Sequence, residues 1–289
     1  MNPPPGEFRR WVLAARPRTL PAAVVPVAVG ASLVRPAALS WLNTLLCALV
    51  ALSLQIGTNF ANDYSDGVRG TDEQRVGPFR LTASKLVEPA RVKYVAWSWL
   101  ALGAGAGVVI ASRTSWWLVP IGVTAVLAGW FYTGGPRPYG YFGFGELFVL
   151  IYFGFVATVG TAYVQHLRIP SSAWWFGLAT GAMACALLEA NNLRDVQGDR
   201  ATGKKTLAAR LGRRRASGLY ALCVVAVIAG IAVGGEPFVA LVALVVYVPG
   251  LRVAFSSRNG RELLPLLKMS AQAQLLLGVV LVATFFLTR

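Results

Sequence analysis

Acid is what this chain has least of. Only 12 of its 289 residues are aspartate or glutamate, against 27 lysines and arginines, and charged residues of both signs make up 13%. Soluble domains carry roughly twice that share, so a surface that faces water on all sides is excluded. There is a single histidine, His166. It stands near one end of an apolar run, far from the acids, where interfacial hydrogen bonding suits it better than catalysis. The three cysteines, Cys47, Cys185 and Cys223, each lie alone inside an apolar run. Without a CxxC or Cys/His spacing, zinc ligation gives way to small-residue packing. The short alternating segments of a membrane β-barrel are also missing.

What is present is hydrocarbon. The chain is 56% hydrophobic with a mean hydropathy of +0.58, and continuous apolar runs approach the ~20 residues that cross a bilayer. A spanning chain must satisfy its backbone internally, so the expected fold is an all-α polytopic membrane protein. Nine transmembrane helices are expected at roughly 19–35, 38–61, 92–112, 115–134, 144–166, 171–190, 217–234, 237–255 and 265–287, bundled around a central cavity as one domain over 1–289. The first and seventh are short. Residues 1–18 are polar, proline-rich and basic, so the run that follows reads as a permanent first span rather than a cleaved leader.

The +15 net charge would suit a nucleic acid if it covered one face. Instead the basic residues gather in particular loops between spans. With nine spans, 23 of the 27 fall on the side of the N-terminus, leaving Arg35, Arg113, Arg168 and Arg289 on the other. The positive-inside rule then places the N-terminus in the cytoplasm and the C-terminus outside, in a bacterial-type inner membrane. Spans two and six run the same way and end in similar Asn/Asp clusters, which suggests tandem four-helix repeats over about 19–134 and 144–255 plus a ninth helix. The nine tryptophans, among them Trp116-Trp117 and Trp174-Trp175, fall near expected outer interfaces and read as anchors.

Those two clusters hold six of the twelve acids, five of them aspartates. The first reads Asn59-Phe-Ala-Asn62-Asp63-Tyr64-Ser65-Asp66-Gly67-Val68-Arg69-Gly70-Thr71-Asp72; the second reads Glu189-Ala-Asn191-Asn192-Leu193-Arg194-Asp195-Val196-Gln197-Gly198-Asp199. On continuing helices, Asn59, Asn62 or Asp63, and Asp66 share one face, as do Asn191 or Asn192, Asp195 and Asp199. Oxygen donors of this kind suit Mg²⁺, which is held by a few carboxylates together with substrate phosphates. Helix capping and interfacial ion pairs are the alternative use. Two matched clusters in so acid-poor a chain favour a divalent-metal site for a diphosphate, because carboxylates at span mouths are expensive without a cation. Arg69, Arg75 and Arg80 follow the first cluster, and Lys204 and Lys205 follow the second. Arg137 is the lone charge in Tyr132-Thr-Gly-Gly-Pro136-Arg137-Pro138-Tyr139. These residues can complete an anion site, although topology alone accounts for many basic loop residues and for Arg213, Arg214 and Arg215, which face anionic headgroups. Glu146 and Glu189 lie near span mouths, with lining an acceptor pocket and capping a partner equally open.

Asn62-Asp63-x-x-Asp66, with Asp195-x-x-x-Asp199 on a later span, resembles the UbiA-type intramembrane prenyltransferases. Asn62-Asp63-Tyr64-x-Asp66-x-x-x-Gly70-x-Asp72, Arg75-Val-Gly77-Pro78-x-Arg80 and Tyr132-Thr-Gly-Gly-Pro-x-Pro-x-Gly140-Tyr141 are similar to the menaquinone-pathway branch, which prenylates 1,4-dihydroxy-2-naphthoate. Position 70 is glycine where many members carry a third acid, and Asp72 lies two residues further on. The resemblance covers nearly the whole chain. It implies Mg²⁺ at Asn62, Asp66, Asp195 and Asp199, gripping the diphosphate of a polyprenyl donor. Arg137 and Lys204 or Lys205 would neutralise the leaving group. Donor and acceptor contacts are implied at Asn59, Asn62, Arg75, Arg80, Tyr132, Arg137, Tyr139, Asn191, Asn192, Lys204 and Lys205. The naphthoate ring would attack the allylic cation and lose CO₂, with Asp63 or Asp72 handling the phenolic proton. Sister enzymes using 4-hydroxybenzoate, homogentisate or haem share these motifs, and a cation-coupled transporter is the rival outside the class.

Overall fold

The computed structural model describes residues 6–71 and 79–288, so Asp72 and Arg75 lie outside the described residues. Every regular element among the described residues is helical. A short amphipathic helix α1 (Glu7–Ala14) leads through a 3-10 turn (Pro17–Thr19) into α2 (Pro21–Ser32). Then come α3 (Trp41–Val68), α4 (Pro89–Arg113) and α5 (Leu118–Phe131). A helical span from Gly145 to His166 is built from α6 (Gly145–Val149), a π-helical stretch (Leu150–Val159) and α7 (Gly160–His166). The remainder is α8 (Ser171–Ala201), a one-turn α9 (Leu207–Leu211), α10 (Arg213–Val233), α11 (Pro237–Ala254) and α12 (Leu264–Thr288).

Among the described residues, seven helical stretches are long and apolar enough to cross a bilayer: Trp41–Val68, Pro89–Arg113, Gly145–His166, Ser171–Ala201, Arg213–Val233, Pro237–Ala254 and Gly260–Thr288. The expected first and fourth spans are helical but shorter than the sequence pattern suggests. Helix α2 has 12 residues. It ends before Arg35, whose extended backbone (ψ 141°) is what a residue preceding proline adopts. It reaches a spanning length only with Glu7–Thr19, from which it is bent by 50°. Helix α5 has 14 residues, about 21 Å at 1.5 Å per residue, against a hydrocarbon core of about 30 Å. Gly134, Gly135 and Pro136 follow it and prevent its continuation. The seventh span, in contrast, begins earlier than expected: Arg213 to Arg215 form the first turn of α10 rather than a loop.

Both helices that carry the Asp clusters run past the apolar stretch, so the clusters stay on regular helix. Helix α8 is the most enclosed, with 67% of its apolar window buried. Ala173, Ala179, Ala182, Ala186 and Ala190 let α2, the π-helical stretch, α10 and α12 close around it. The approach is tightest where Gly154 meets Gly177 and Gly181; a Cβ on Gly181 would lie 2.9 Å from the Gly154 Cα. Alongside it, the Thr158 and Thr180 hydroxyls are hydrogen-bonded at 2.7 Å. Small-residue seams of this kind substitute for the hydrophobic driving force that lipid removes. A second, smaller core joins α1, α3, α4 and the 79–81 strand of coil through Ala14, Phe60, Ala61, Leu81, Val92 and Ala96. A cavity of about 660 Å³ is enclosed by α2, α3, α5, the Gly145–His166 span and α8.

Candidate active site at the head of the cavity

The cavity runs from Asn59, Asn62, Asn191 and Arg16 at the motif end to Trp117, Ile169 and Trp174 at the opposite end. Its wall is apolar and aromatic for most of that length. Tyr132 and Tyr139 meet edge to face (centroids 5.5 Å), Tyr139 stacks on Phe148 (4.0 Å), and all three line the cavity. The Tyr139 hydroxyl donates to the Ala128 carbonyl at 2.9 Å, so its ring edge is fixed.

On α3, four residues of the first cluster are used in four ways. Asn59 Nδ2 donates to the Ala15 carbonyl (2.9 Å) and to Thr19 Oγ1 (3.3 Å), tying α3 to the turn before α2. Asn62 Oδ1 accepts from the Thr133 hydroxyl at 2.7 Å. Asp63 is fully buried, and its two carboxylate oxygens accept the backbone N–H groups of Leu81 (2.8 Å) and Thr82 (2.9 Å). It therefore holds the chain that returns after the first loop; both oxygens are engaged in structure, and Asp63 does not line the cavity. Asp66 faces the cations. Its Oδ1 accepts from the Tyr141 hydroxyl (2.6 Å) and lies 3.3 Å from Lys204 Nζ, and its Oδ2 lies 3.6 Å from an Arg80 Nη.

Helix α8 supplies the other side. Asn191 lines the cavity, donating back to the Leu187 carbonyl at 3.2 Å. Asn192 Nδ2 donates to Glu146 Oε1 at 2.8 Å. Glu189 is fully buried next to Glu146, and neither glutamate lines the cavity. Asp195 receives the fork of Arg194, with Nε and one Nη each at 2.7 Å. Asp199 Oδ2 accepts from the Thr206 hydroxyl at 3.1 Å.

How Lys204 comes to reach Asp66 is a matter of helix termination. Gly203 takes a left-handed conformation (φ 75°), its N–H bonds the Arg200 carbonyl, and the Lys204 N–H bonds the Asp199 carbonyl at 2.8 Å. This is a Schellman ending, which turns the chain back on the helix and needs glycine at its left-handed position. The reversal sends the buried Lys204 side chain across to α3, with Nζ 4.8 Å from the Tyr141 ring centre. The 3-10 turn Tyr139–Phe142 is the bridge between the clusters: its Tyr141 carbonyl accepts the Lys205 N–H at 2.8 Å while its hydroxyl holds Asp66. Burial and the adjacent Asp66 carboxylate push the Tyr141 hydroxyl well above its ordinary pKa, so it stays a proton donor.

The expected cations divide unevenly. Lys204 and Arg80 are buried at Asp66, whereas Lys205 contributes only its backbone and its side chain is exposed. Arg137 is also exposed and has no hydrogen bond or ion pair among the described residues. The 133–135 turn is held instead by Arg69, whose two Nη groups donate to the Thr133 and Gly135 carbonyls. Tyr141, Thr133 and Arg194 carry contacts here that sequence reading did not assign. Tyr141 and Thr133 stood inside quoted motifs, but no spacing rule reports a contact spanning 71 or 75 residues.

Among the described residues no three acidic, histidine or cysteine side chains converge as a ready-made metal cage. Asp66, Asp195 and Asp199, with Asn62, are nonetheless hard oxygen donors of the kind that fits Mg²⁺, an ion completed by substrate phosphates and water rather than by protein alone. Asp66 is neutralised by Lys204 and Arg80, and Asp195 by Arg194, which is the counter-charge a divalent ion and an anion would exchange with.

These features define a class: a helical membrane protein whose acid- and cation-rich end tops a long apolar cavity, suited to a ligand with an anionic head and a hydrocarbon tail. The model of the UbiA prenyltransferase family matches residues 23–263, and the chain belongs to that family. It is 46% identical over 278 residues to a 1,4-dihydroxy-2-naphthoate octaprenyltransferase of Mycobacterium tuberculosis, covering 93% of this chain and 94% of the relative. A protein of the same description from Haemophilus influenzae is 31% identical, with 95% and 94% covered. Among solved structures, a UbiA homolog from Archaeoglobus fulgidus bound to DMAPP and Mg²⁺ has the same fold (TM-score 0.65, 15% identity, 95% of this chain and 99% of that one). So does the apo UbiA homolog from Aeropyrum pernix K1 (TM-score 0.65, 14% identity, 93% and 96%).

Proposed function

We propose that this protein transfers a polyprenyl group from a polyprenyl diphosphate to 1,4-dihydroxy-2-naphthoate, in the menaquinone pathway. The observation that carries the reading is the junction of the two clusters: Lys204, from behind the second, lies 3.3 Å from Asp66 of the first, one helical turn beyond Asn62, which with Asn191 lines the motif end of an apolar cavity of about 660 Å³. An anionic head belongs at that junction and a hydrocarbon tail in that cavity. Relatives covering nearly the full chain bear the corresponding description, and family membership removes the transporter alternative.

The allylic C–O bond breaks with its electron pair leaving on diphosphate. The ring carbon bearing the carboxylate forms the new C–C bond and then expels CO₂, restoring the aromatic hydroquinone and giving demethylmenaquinol, the reduced form of demethylmenaquinone. Asn62, Asp66, Asp195 and Asp199 would hold a divalent ion, which when bound would neutralise the departing diphosphate. Lys204 and Arg80, gathered at Asp66, add cationic charge where negative charge develops. The faces of Tyr132 and Tyr139 favour an allylic cation through their ring quadrupoles, and the apolar wall excludes water that would quench it. In the full reading α2 with α1, and the short α5, complete nine membrane passages, with the motif end cytoplasmic, where soluble acceptor and diphosphate are available.

Purified protein given a polyprenyl diphosphate, Mg²⁺ and competing aromatic acceptors tests this. Diphosphate release coupled to prenylation of 1,4-dihydroxy-2-naphthoate, abolished by EDTA and by Asp66→Ala, is expected. Preference for 4-hydroxybenzoate or homogentisate would move the chain to a sister activity; full turnover in excess EDTA would remove the metal from the reading.

A further inference from the structure

Helix α8 has a second functional-looking face, turned away from the cavity. Asn191, Asp195 and Asp199 recur on the cavity side, whereas Leu193, Val196, Gln197 and Arg200 recur at i, i+3, i+4 and i+7 on the opposite side. That far face, with Arg194 on its flank, forms a separate cleft of about 130 Å³ with Arg213 at the start of α10 and Asn259-Gly260 before α12. Three guanidinium groups border it and no acid does. Glu262, on the adjoining turn, accepts the Asn259 N–H at 3.3 Å, and the acid that touches the lining, Asp195, is held in the fork of Arg194.

The arginines are incompletely used. Arg194 is 4% exposed; two of its nitrogens hold Asp195, and its Nη1 is buried without a partner. Arg213 is anchored through Nη1 to Ser217 Oγ (2.6 Å) and the Ala254 carbonyl (2.8 Å) and through Nη2 to the Ser256 and Arg258 carbonyls (3.4 and 3.3 Å), while its buried Nε has no partner. Arg200 is held by one bond, Nε to the Ala209 carbonyl at 2.8 Å. Buried cationic donors without partners are strongly disfavoured, and a planar guanidinium fork matches tetrahedral oxyanions. At about 30 Å³ per water, the cleft has room for about four waters, the size of one phosphate group rather than a nucleotide. It lies where α8 and α11 end and α10 and α12 begin, at the same end of the bundle as the motifs.

We propose that this cleft binds a single phosphate group, either free phosphate or the headgroup of an anionic phospholipid, independently of the catalytic cavity. The test is thermal unfolding of the detergent-purified protein in EDTA, which removes metal-dependent binding at the cavity. One arm adds inorganic phosphate against chloride at matched ionic strength. The other dopes micelles with phosphatidylglycerol against an equal fraction of diacylglycerol. A ligand that binds only the folded protein raises the midpoint, by several degrees at about a hundredfold over half-saturation. The larger shift at equal phosphate concentration names the source. Gln197→Glu puts a repelling carboxylate at an exposed lining position that makes no described hydrogen bond, and Arg200→Gln removes a cation. Both should lose most of the shift. No shift in either arm, or an undiminished shift in Gln197→Glu, overturns the proposal; the surface variant decides even if Arg200→Gln fails to fold.

Discussion

Replacing Asp63 separates holding a loop from moving a proton. Its carboxylate accepts two backbone N–H groups, from Leu81 and Thr82, at 2.8 and 2.9 Å, and Leu81 is fully buried. Each bond has a charged acceptor and is worth about 1.5–3 kcal/mol. Asp63→Ala removes both and strands two donors, for an expected loss of about 3–6 kcal/mol. Asp63→Asn keeps one acceptor oxygen and should forfeit about half of that. The asparagine variant is the informative one, because enough of it should survive purification. Its inactivation temperature in detergent should fall by several degrees, while turnover per folded molecule stays within about tenfold of wild type. Loss of a general acid or base instead costs about 10²- to 10⁴-fold in rate. Measuring the active-site titre alongside the melting curve distinguishes these. An Asp63→Asn protein that melts with wild type yet turns over a hundredfold more slowly would refute the loop-holding role and return Asp63 to the chemistry.

Lys204→Gln should raise the KM for donor about ten- to hundredfold, the equivalent of losing a charge-assisted contact, with little change for the acceptor; unaltered donor kinetics would remove Lys204 from the anion site. Arg69→Gln frees the Thr133 and Gly135 carbonyls and should impair donor use more than Arg137→Gln, whose side chain is exposed, so equal effects would count against the ordering. Gly154→Val forces a side chain into the Gly177–Gly181 seam and should cost about 1–3 kcal/mol by overpacking, read as a lowered unfolding midpoint in detergent; an unchanged midpoint would mean that the seam yields.

Most of the architecture was legible in composition and apolar run length, because lipid enforces helices and the runs are long. Lengths of individual helices were less so. Pro21, Pro36 and the Gly134-Gly135-Pro136 turn trim α2 and α5, and hydropathy averages over such punctuation. Placement of the clusters on helix was readable from their spacing, and the approach of Lys204 to Asp66 follows from a helix ending that Gly203 signals locally. The division of labour inside the first cluster was not readable. Asn62, Asp63 and Asp66 are chemically similar neighbours, and only the position of the returning chain decides that Asp63 meets backbone amides while Asp66 meets Lys204 and Arg80. Arg137 drew notice by its isolation in sequence, yet a charge isolated in sequence is not thereby aimed inward. Arg69, two residues beyond the glycine that follows Asp66, reaches the same turn from across the site.

Asp63 and Asp66 also fix both ends of one stretch of chain. Thr71 N–H bonds the Asp66 carbonyl at 3.1 Å as the chain leaves α3, and Leu81 and Thr82 return to Asp63, less than one helical turn away. The departing and the returning chain are thus held within one turn of the same helix, which brings Arg80, next to the anchored Leu81, to 3.6 Å from Asp66. The rise of α3 therefore indexes the amide-binding carboxylate to the cation-binding one, and a one-residue slip in where the chain returns would part Asp66 from its arginine.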